Sequence, residues 1–426
     1  MTGSFNIVAL GPPASGKTVY IAALHQVIGV DALAPGISFT TTQTERARLQ
    51  AVYDQVVNPG MDWPTSTYSG DPMRETRFTC KVEWTGTSSR FSRTSRRYSY
   101  PVFDVTYVDY AGEWIPEAHL ADSALIDTFE RRLREAHAIL GIIDGMRLRQ
   151  YLEGDSAGRD FFHDRIRPVV EIMRSHTVPV HFVITKWDLL GSYTLDEVRS
   201  RLLGSRETGF RELIEARTAA PRWDRRPVGN VRIIPISSVG DFASLKSGWQ
   251  VIKVPGRKPS HVNVEVPLVA AVADICDMAL SELRRQYSVG HRSRKERRNL
   301  SPGNGGNSSP DIKLGPAGVE INLTAVVAFA FGAGIEVSRQ LGRPTAKLGR
   351  SMRRQYRRIR SYGIRGVKSD EAALFYAARA FRDRLAVFEN QLDYKSSRIF
   401  SSGSAGDSGS AGDASFLSTE KPKWYE

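Results

Sequence analysis

The run Gly11-Pro12-Pro13-Ala14-Ser15-Gly16-Lys17-Thr18 satisfies G-x-x-x-x-G-K-[ST] at every position. Its flanks restrict the fold more than any other part of the chain. Phe5-Asn6-Ile7-Val8-Ala9-Leu10 reads as a buried strand, and Val19 to Ile28 as a helix. A glycine-bearing loop between them turns successive backbone N–H groups inward at the positive end of a helix dipole. That geometry suits a phosphate. Gly11, Ala14, Ser15, Gly16 and Val19 belong to this cradle. Lys17 supplies charge against β- and γ-phosphates, and the Thr18 hydroxyl suits Mg²⁺.

Three later stations bear on which nucleotide such a loop would hold. Val102 to Asp109 is an apolar-rich strand ending in a carboxylate, with Gly112 three residues on and Glu113 after it. Asp109 can hold Mg²⁺ directly or through water. The Gly112 N–H can approach a γ-phosphate because no Cβ stands in the way. Val178 to Ile184 leads into Thr185-Lys186-Trp187-Asp188. A carboxylate at Asp188 can accept hydrogen bonds from the N1–H and amino group of guanine. Adenine has an acceptor at N1 and no amino group at C2, so it would leave that carboxylate unpaired. Lys186 would lie over the base and sugar. Val231 to Ile236 leads into Ser237-Ser238-Val239, whose backbone N–H groups suit the guanine O6. Strands alternating with helical stretches imply a mostly parallel sheet, and all four stations fall at strand carboxyl ends, where such sheets bind ligands.

On these residues the chain resembles the Ras-like and translation-factor-like P-loop GTPases over roughly residues 4 to 287. Lys17, Thr18, Asp109, Gly112, Lys186, Asp188 and Ser237 fall on that family's motif positions, and Thr185 stands where the guanine motif usually has Asn. Large bacterial GTPases with a GPPASGKT-like loop and a D-x-A-G-E turn, some from multi-gene conflict systems, look similar. The resemblance implies a three-layer P-loop α/β fold, GTP and GDP as ligands, Mg²⁺ as the metal, and hydrolysis by in-line attack of water. The stretch exceeds a minimal member mainly between Gly29 and Arg77, around Arg147 to Asp164, and between Gly191 and Val231.

Glu113 departs from the family, which often carries Gln there. A glutamine both donates to and accepts from the attacking water. A carboxylate only accepts, and it repels the γ-phosphate. Intrinsic hydrolysis is therefore expected to be slow, or its water to be positioned by another group, with Lys17, Gly112 and Glu113 as the catalytic set. Glu113 reads equally well as a cap for a helix beginning near Ile115-Pro116. A threonine shortly before the next strand, Arg77 to Trp84, should also reach Mg²⁺. Thr65, Thr67 and Thr76 all qualify, and the Trp63-Pro64-Thr65-Ser66-Thr67 turn favours Thr67. The loop from Thr87 to Ser99 carries four arginines and reads as a solvated hairpin tip.

Charge separates the chain into parts. The formal net charge is +13, and residues 289–368 carry 17 Lys and Arg against 4 Asp and Glu, a surplus that equals the whole. The body, residues 1–288, is therefore near neutral. The expected parts are a GTPase domain over 1–288, a basic disordered linker over 289–318, a basic appendage over 319–398 and a flexible Ser/Gly tail over 399–426. Val264 to Tyr287 reads as the helix that closes the first part.

Within the appendage, the odd positions from Val319 to Val337 are all apolar, which favours strands or a hairpin over a membrane-dipping helix. Arg343 to Arg360 reads as a basic helix with Leu348, Met352, Tyr356 and Ile359 as its apolar stripe. Ser369 reads as the N-cap of a further helix, along which Leu374, Ala378, Phe381, Leu385, Phe388 and Leu392 form a heptad-like seam. That seam packs on the body or joins two copies through 374–392, the first being favoured for its length.

The surplus charge over 289–368 reads as a solvated connector, or as a contact for an anionic membrane, nucleic acid or an acidic protein partner. The expected partners are a guanine nucleotide and an effector protein. With 41% hydrophobic residues the chain can build a core. Its two cysteines, Cys80 and Cys276, read as reduced core residues of a cytosolic protein. A first strand beginning at Phe5 leaves no room for a signal peptide.

Overall fold

The computed structural model describes residues 3–29, 33–64, 73–87, 95–110, 123–219, 228–296, 312–314, 319–321, 357–391 and 398–400. In chain order the elements begin β1 (Gly3–Leu10), α1 (Lys17–Val27), β2 (Ile37–Thr40), α2 (Gln43–Val57), β3 (Met73–Thr87), β4 (Ser95–Tyr110), α3 (Ser123–Arg134), β5 (Ala138–Asp144) and α4 (Gly145–Leu152). After them come α5 (Ser156–Phe161), α6 (Arg167–Arg174), β6 (Val180–Thr185), α7 (Leu195–Gly204), α8 (Phe210–Thr218), β7 (Val231–Pro235), β8 (Ala243–Lys246), β9 (Gln250–Lys253) and α9 (Val266–Glu296). The chain closes with β10 (Ile312–Leu314), β11 (Val319–Ile321), α10 (Asp370–Gln391) and β12 (Arg398–Phe400).

Eight strands form one sheet in the order β12-β7-β6-β5-β1-β4-β3-β2. The pairs from β4 through β1, β5 and β6 to β7 are parallel, and β2, β3 and β12 add antiparallel edges. The apolar strands predicted from the sequence are present as β1, β3, β4, β6 and β7. β5, Ala138-Ile139-Leu140-Gly141-Ile142-Ile143-Asp144, is buried along its whole length, as a central parallel strand covered on both faces must be. Between Gly29 and Arg77, where the sequence showed only extra length, the chain forms β2 and α2.

Each face of the sheet is covered. Phe5, Ile7, Phe103 and Val105 pack with α1, α9 and α10 on one side, and Val8, Ile139, Phe182 and Ile184 pack with α4, α6, α7 and α8 on the other. The chain is thus a three-layer α/β structure with a mainly parallel sheet.

The C-terminal elements correct several expectations. α9 runs on through Glu296, so residues 289–296 are helical and not linker. Val319–Ile321 is a strand paired antiparallel with Ile312–Leu314, and residues 322–337 lie outside the described residues. Of the basic helix expected over 343–360, residues 343–356 also lie outside them. At its end Ile359 is buried while Arg357, Arg358 and Arg360 are exposed.

Ser369 caps α10 as read, its Oγ accepting from the Ala372 N–H at 3.2 Å. The seam residues Leu374, Ala378, Phe381, Leu385 and Phe388 are buried, with the Phe381 ring 5.6 Å from Phe103 and 6.1 Å from Phe39. The face that could have joined two copies is therefore used within the chain. The expected boundary at residue 319 does not part α10 from the body of the central sheet.

One buried histidine makes the fold sensitive to acid. His137 Nδ1 accepts the Asn6 N–H at 2.9 Å where β1 meets β5, so the ring must be neutral. Burial pulls its pKa down to about 4. The unfolded ring binds a proton near pH 6.5, so stability is lost as pH falls from there through 4. A loss of about 2 kcal/mol is expected between pH 7 and pH 5 from this group alone. Urea titrations of the wild type and His137→Asn at both pH values measure it, and an identical pH slope in the two proteins would refute it.

Candidate nucleotide site

The carboxyl ends of β1, β4, β5, β6 and β7 share one edge of the sheet, and β1 lies between β4 and β5, where the strand order reverses. The Gly11–Thr18 loop leaves β1 at this switch point, the place where open α/β sheets bind ligands. Its glycines are required sterically. A Cβ on Gly11 would lie 2.8 Å from the Ile142 carbonyl oxygen. Gly16 has φ +89°, a left-handed conformation that favours glycine. Ala14 also has positive φ, at 58°. Lys17 is buried, and its Nζ donates to Gly11 O at 2.7 Å and Pro12 O at 2.9 Å, so the ammonium lies across its own loop. Ser15 Oγ is buried with no hydrogen-bond partner among the described residues.

A cavity opens beside this loop. It is lined by the predicted residues Ala14, Ser15, Gly16, Lys17, Thr18 and Val19, and by Thr185, Lys186, Asp188 and Ser238 from the β6 and β7 ends. Gly11, Asp109 and Ser237 do not line it. Gly11 instead packs the loop against β5. Gly112, Glu113 and Thr67 lie outside the described residues, and so does Thr65. Thr76 is buried in β3, where its hydroxyl donates to Glu45 at 3.2 Å and accepts from Arg48 at 3.0 Å.

The loop after β6 is tied to the Gly11–Thr18 loop. The Thr185 hydroxyl reaches Ser15 O at 2.7 Å, a bond that holds the end of β6 against the cradle. Lys186, at φ 50°, sends its Nζ to Asp144 Oδ2 at 2.7 Å and to Ala14 O at 3.2 Å. Asp144 also caps α4 through Oδ1, which accepts the Met146 N–H at 2.9 Å. Sequence reasoning missed Asp144, although it ends an apolar strand as Asp109 does. Its charge holds Lys186 along the rim of the cavity.

Asp188 carries the chemistry of the far end. Burial pushes its carboxyl above the usual range, and the Ser237 hydroxyl partly offsets this by donating to Oδ1. Oδ2 is buried and has no partner among the described residues. Ser237 in turn accepts the Gly240 N–H at 2.7 Å. Its own N–H is spent on Val262 O at 3.0 Å, so Ser237 positions Asp188 and leaves Ser238 as the cavity-lining member of that loop.

At the opposite end, Asp109 sits opposite Arg74 in the β3–β4 register, on the sheet face that carries α1. Burial raises its carboxyl pKa, against the pull of Lys17, Arg48 and Arg74. Its Oδ1 is buried without a partner among the described residues. An orphaned buried carboxylate oxygen within electrostatic reach of Lys17 fits a hard divalent cation that also takes phosphate oxygens. No group of three or more His, Cys, Asp or Glu residues that could hold a metal occurs among the described residues. A Mg²⁺ held jointly by a hydroxyl, one carboxylate and phosphates does not need one.

The mainly parallel sheet with its loop at the switch point fits a P-loop nucleoside-triphosphatase fold. No protein-family model matches the chain, and no curated protein matches it. Among solved structures it is similar to a chain of the signal recognition particle receptor SRb-GTP/SRX complex from Chaetomium thermophilum. The identity is 16%, over 56% of this chain and 92% of that one, with a TM-score of 0.27. A likeness that slight carries nothing about function, which rests on the site itself. No described helix is long and apolar enough to cross a membrane.

Proposed function

We propose that the protein binds GTP and GDP and hydrolyses GTP slowly as a nucleotide-controlled switch. The observation that carries this is the buried carboxylate of Asp188, whose Oδ2 has no partner among the described residues, in the cavity that the Gly11–Thr18 loop also lines. Guanine brings two donors, N1–H and the C2 amino group, to such a carboxylate. Adenine brings the N1 lone pair and no amino group, which sets acceptor against acceptor. An ATPase reading is therefore the weaker one.

The loop N–H groups and Lys17 would bind the β- and γ-phosphates, the ammonium moving from its own carbonyls to the phosphate oxygens. Thr18 and Asp109 would hold Mg²⁺, which offsets charge on those oxygens. Thr67 is the proposed third ligand. Ser238 N–H would serve the guanine O6, and Lys186, fixed by Asp144, would cover the base. In hydrolysis a water oxygen bonds to the γ-phosphorus as its bond to the β,γ-bridging oxygen breaks. Gly112 would sense the γ-phosphate, and Glu113, a poor orienter of that water, makes the step slow.

Purified protein should bind labelled GTP at least tenfold better than ATP, and Lys17→Ala should abolish binding. Equal affinity for the two nucleotides would overturn the guanine assignment.

A further inference from the structure

Two segments far apart in sequence meet beside the base end of the cavity. One is the end of α2 with the loop 58–64. The other runs from Ser238 through the β8–β9 hairpin to His261. Three independent latches join them.

Lys253, on β9, donates to Gln55 O at 2.6 Å, Asn58 O at 2.8 Å and Met61 O at 2.8 Å. All three of its protons are thus spent on the end of α2 and the turn that follows, where helix carbonyls lack intrahelical partners. The same ammonium lies 5.0 Å over the Trp63 ring. Trp63 Nε1–H donates to Val251 O at 2.9 Å. The third latch is a relay. His261 Nδ1 lies 2.7 Å from Ser238 O, and a carbonyl can only accept, so Nδ1 carries the proton. Nε2 then accepts from the Tyr53 hydroxyl at 3.0 Å.

Among the described residues, the long-range hydrogen bonds of loop 58–64 all go to this hairpin. Its remaining bonds are local, such as Gly60 N–H to Asn58 Oδ1. Trp63, Pro64, Val239, Ala243 and Val251 line the cavity near Asp188 and Ser238, and Val56 and Phe242 close the small apolar cluster behind them. The loop is therefore a wall of the cavity held in place from outside the cavity.

We propose that loop 58–64, latched to β8–β9 by Lys253, Trp63 and the Tyr53–His261 pair, closes the nucleoside end of the site and sets the residence time of bound guanine nucleotide. Exchange then requires the latch to open. The chain runs from Pro64 through residues 65–72 to Arg74, opposite Asp109, so the wall of the nucleoside end is continuous in sequence with the phosphate end. Trp63 and Lys253 are positioning residues and leave the base-reading carboxylate untouched.

The inference rests on the guanine-nucleotide reading, and its test keeps the two apart. Fluorescent GDP is loaded on the full chain with Mg²⁺ and chased with excess unlabelled GDP. Lys253→Met keeps the stem and removes the three donors, and it should speed release at least tenfold. Trp63→Phe keeps a ring and removes the N–H, and should speed release about threefold or more. The preference for GDP over ADP should not change in either variant. Unchanged release from both variants, with wild-type binding intact, overturns the clasp and spares the nucleotide reading. A wild type that takes up no guanine nucleotide overturns the nucleotide reading, and the clasp with it. Amide hydrogen exchange of residues 53–64 should rise in Lys253→Met without nucleotide, and protection equal to wild type there counts against the latch alone.

Discussion

Asp188→Asn is expected to weaken GTP binding by roughly 10² to 10³-fold and to move the preference to xanthosine triphosphate. The magnitude follows from losing charge-assisted bonds worth about 1.5–3 kcal/mol each. The direction follows from Ser237. Its hydroxyl donates to one carboxylate oxygen, so an asparagine must keep its own oxygen there and place the amide N–H₂ where Oδ2 now stands. A donor at that point opposes the guanine amino group and suits the C2 carbonyl of xanthine. Competition of GTP, xanthosine triphosphate and ATP against a fluorescent guanine nucleotide measures it. Retained GTP affinity would show that Asp188 does not touch the base.

Asp274→Ala is expected to destabilise the fold by about 3–5 kcal/mol, the range for removing one partner of a buried charge pair. Arg232 is almost fully buried in β7. Its Nε lies 2.6 Å from Asp274 Oδ2 and its Nη2 2.9 Å from Oδ1. Nη1 pairs with Glu389 on α10, and Asn230 Nδ2 donates to Asp274 Oδ1 at 2.8 Å. Burial alone would lower the guanidinium pKa, and the two carboxylates more than reverse that. Without Asp274 the arginine keeps one partner, at the far end of its side chain. The loss is a large part of a typical domain's 5–15 kcal/mol, so the urea midpoint should fall steeply. A shift under about 1 kcal/mol would mean that Glu389 alone suffices.

The same network explains a misreading of the C-terminal third. Counting charge set residues 289–368 apart from the body. The boundary at 319 comes instead from the alternating apolar positions that begin there, and the seam beyond it is expected by its length to pack on the body. Glu389 of α10 pairs with Arg232 of β7, Arg382 with Asp277 of α9, and Arg384 with Glu265 just before α9. Phe375 and Phe381 lie in the core of the sheet. Net charge reports on solvent and partners, and burial depends on which face of a helix is apolar. The seam of α10 held that information and the charge sum did not.

At the site, local pattern and long-range placement divided the work. β6 and β7 show as mostly apolar runs before polar turns because both of their faces are buried, and β4 shows through the apolar face that it turns to the core before Asp109. The Gly11–Thr18 loop shows because only certain residues tolerate its backbone. β5 carried the same signal and passed unread, and with it Asp144, the carboxylate that holds Lys186. The Ser237 N–H, expected to serve a guanine O6, is taken by Val262, a residue brought near only by the isolated bridge after β7.

The sequence by itself determined the turns, the buried strands and the residue types at their ends, since these follow from interactions among near neighbours in the chain. Tertiary structure decided which strand lies beside which, that α10 completes the core, and that Trp63 of loop 58–64 and Lys253 of the β8–β9 hairpin, nearly two hundred residues apart in sequence, each bond to the other's segment. Those contacts depend on which surfaces remain uncovered once the sheet has formed, and no local periodicity records that.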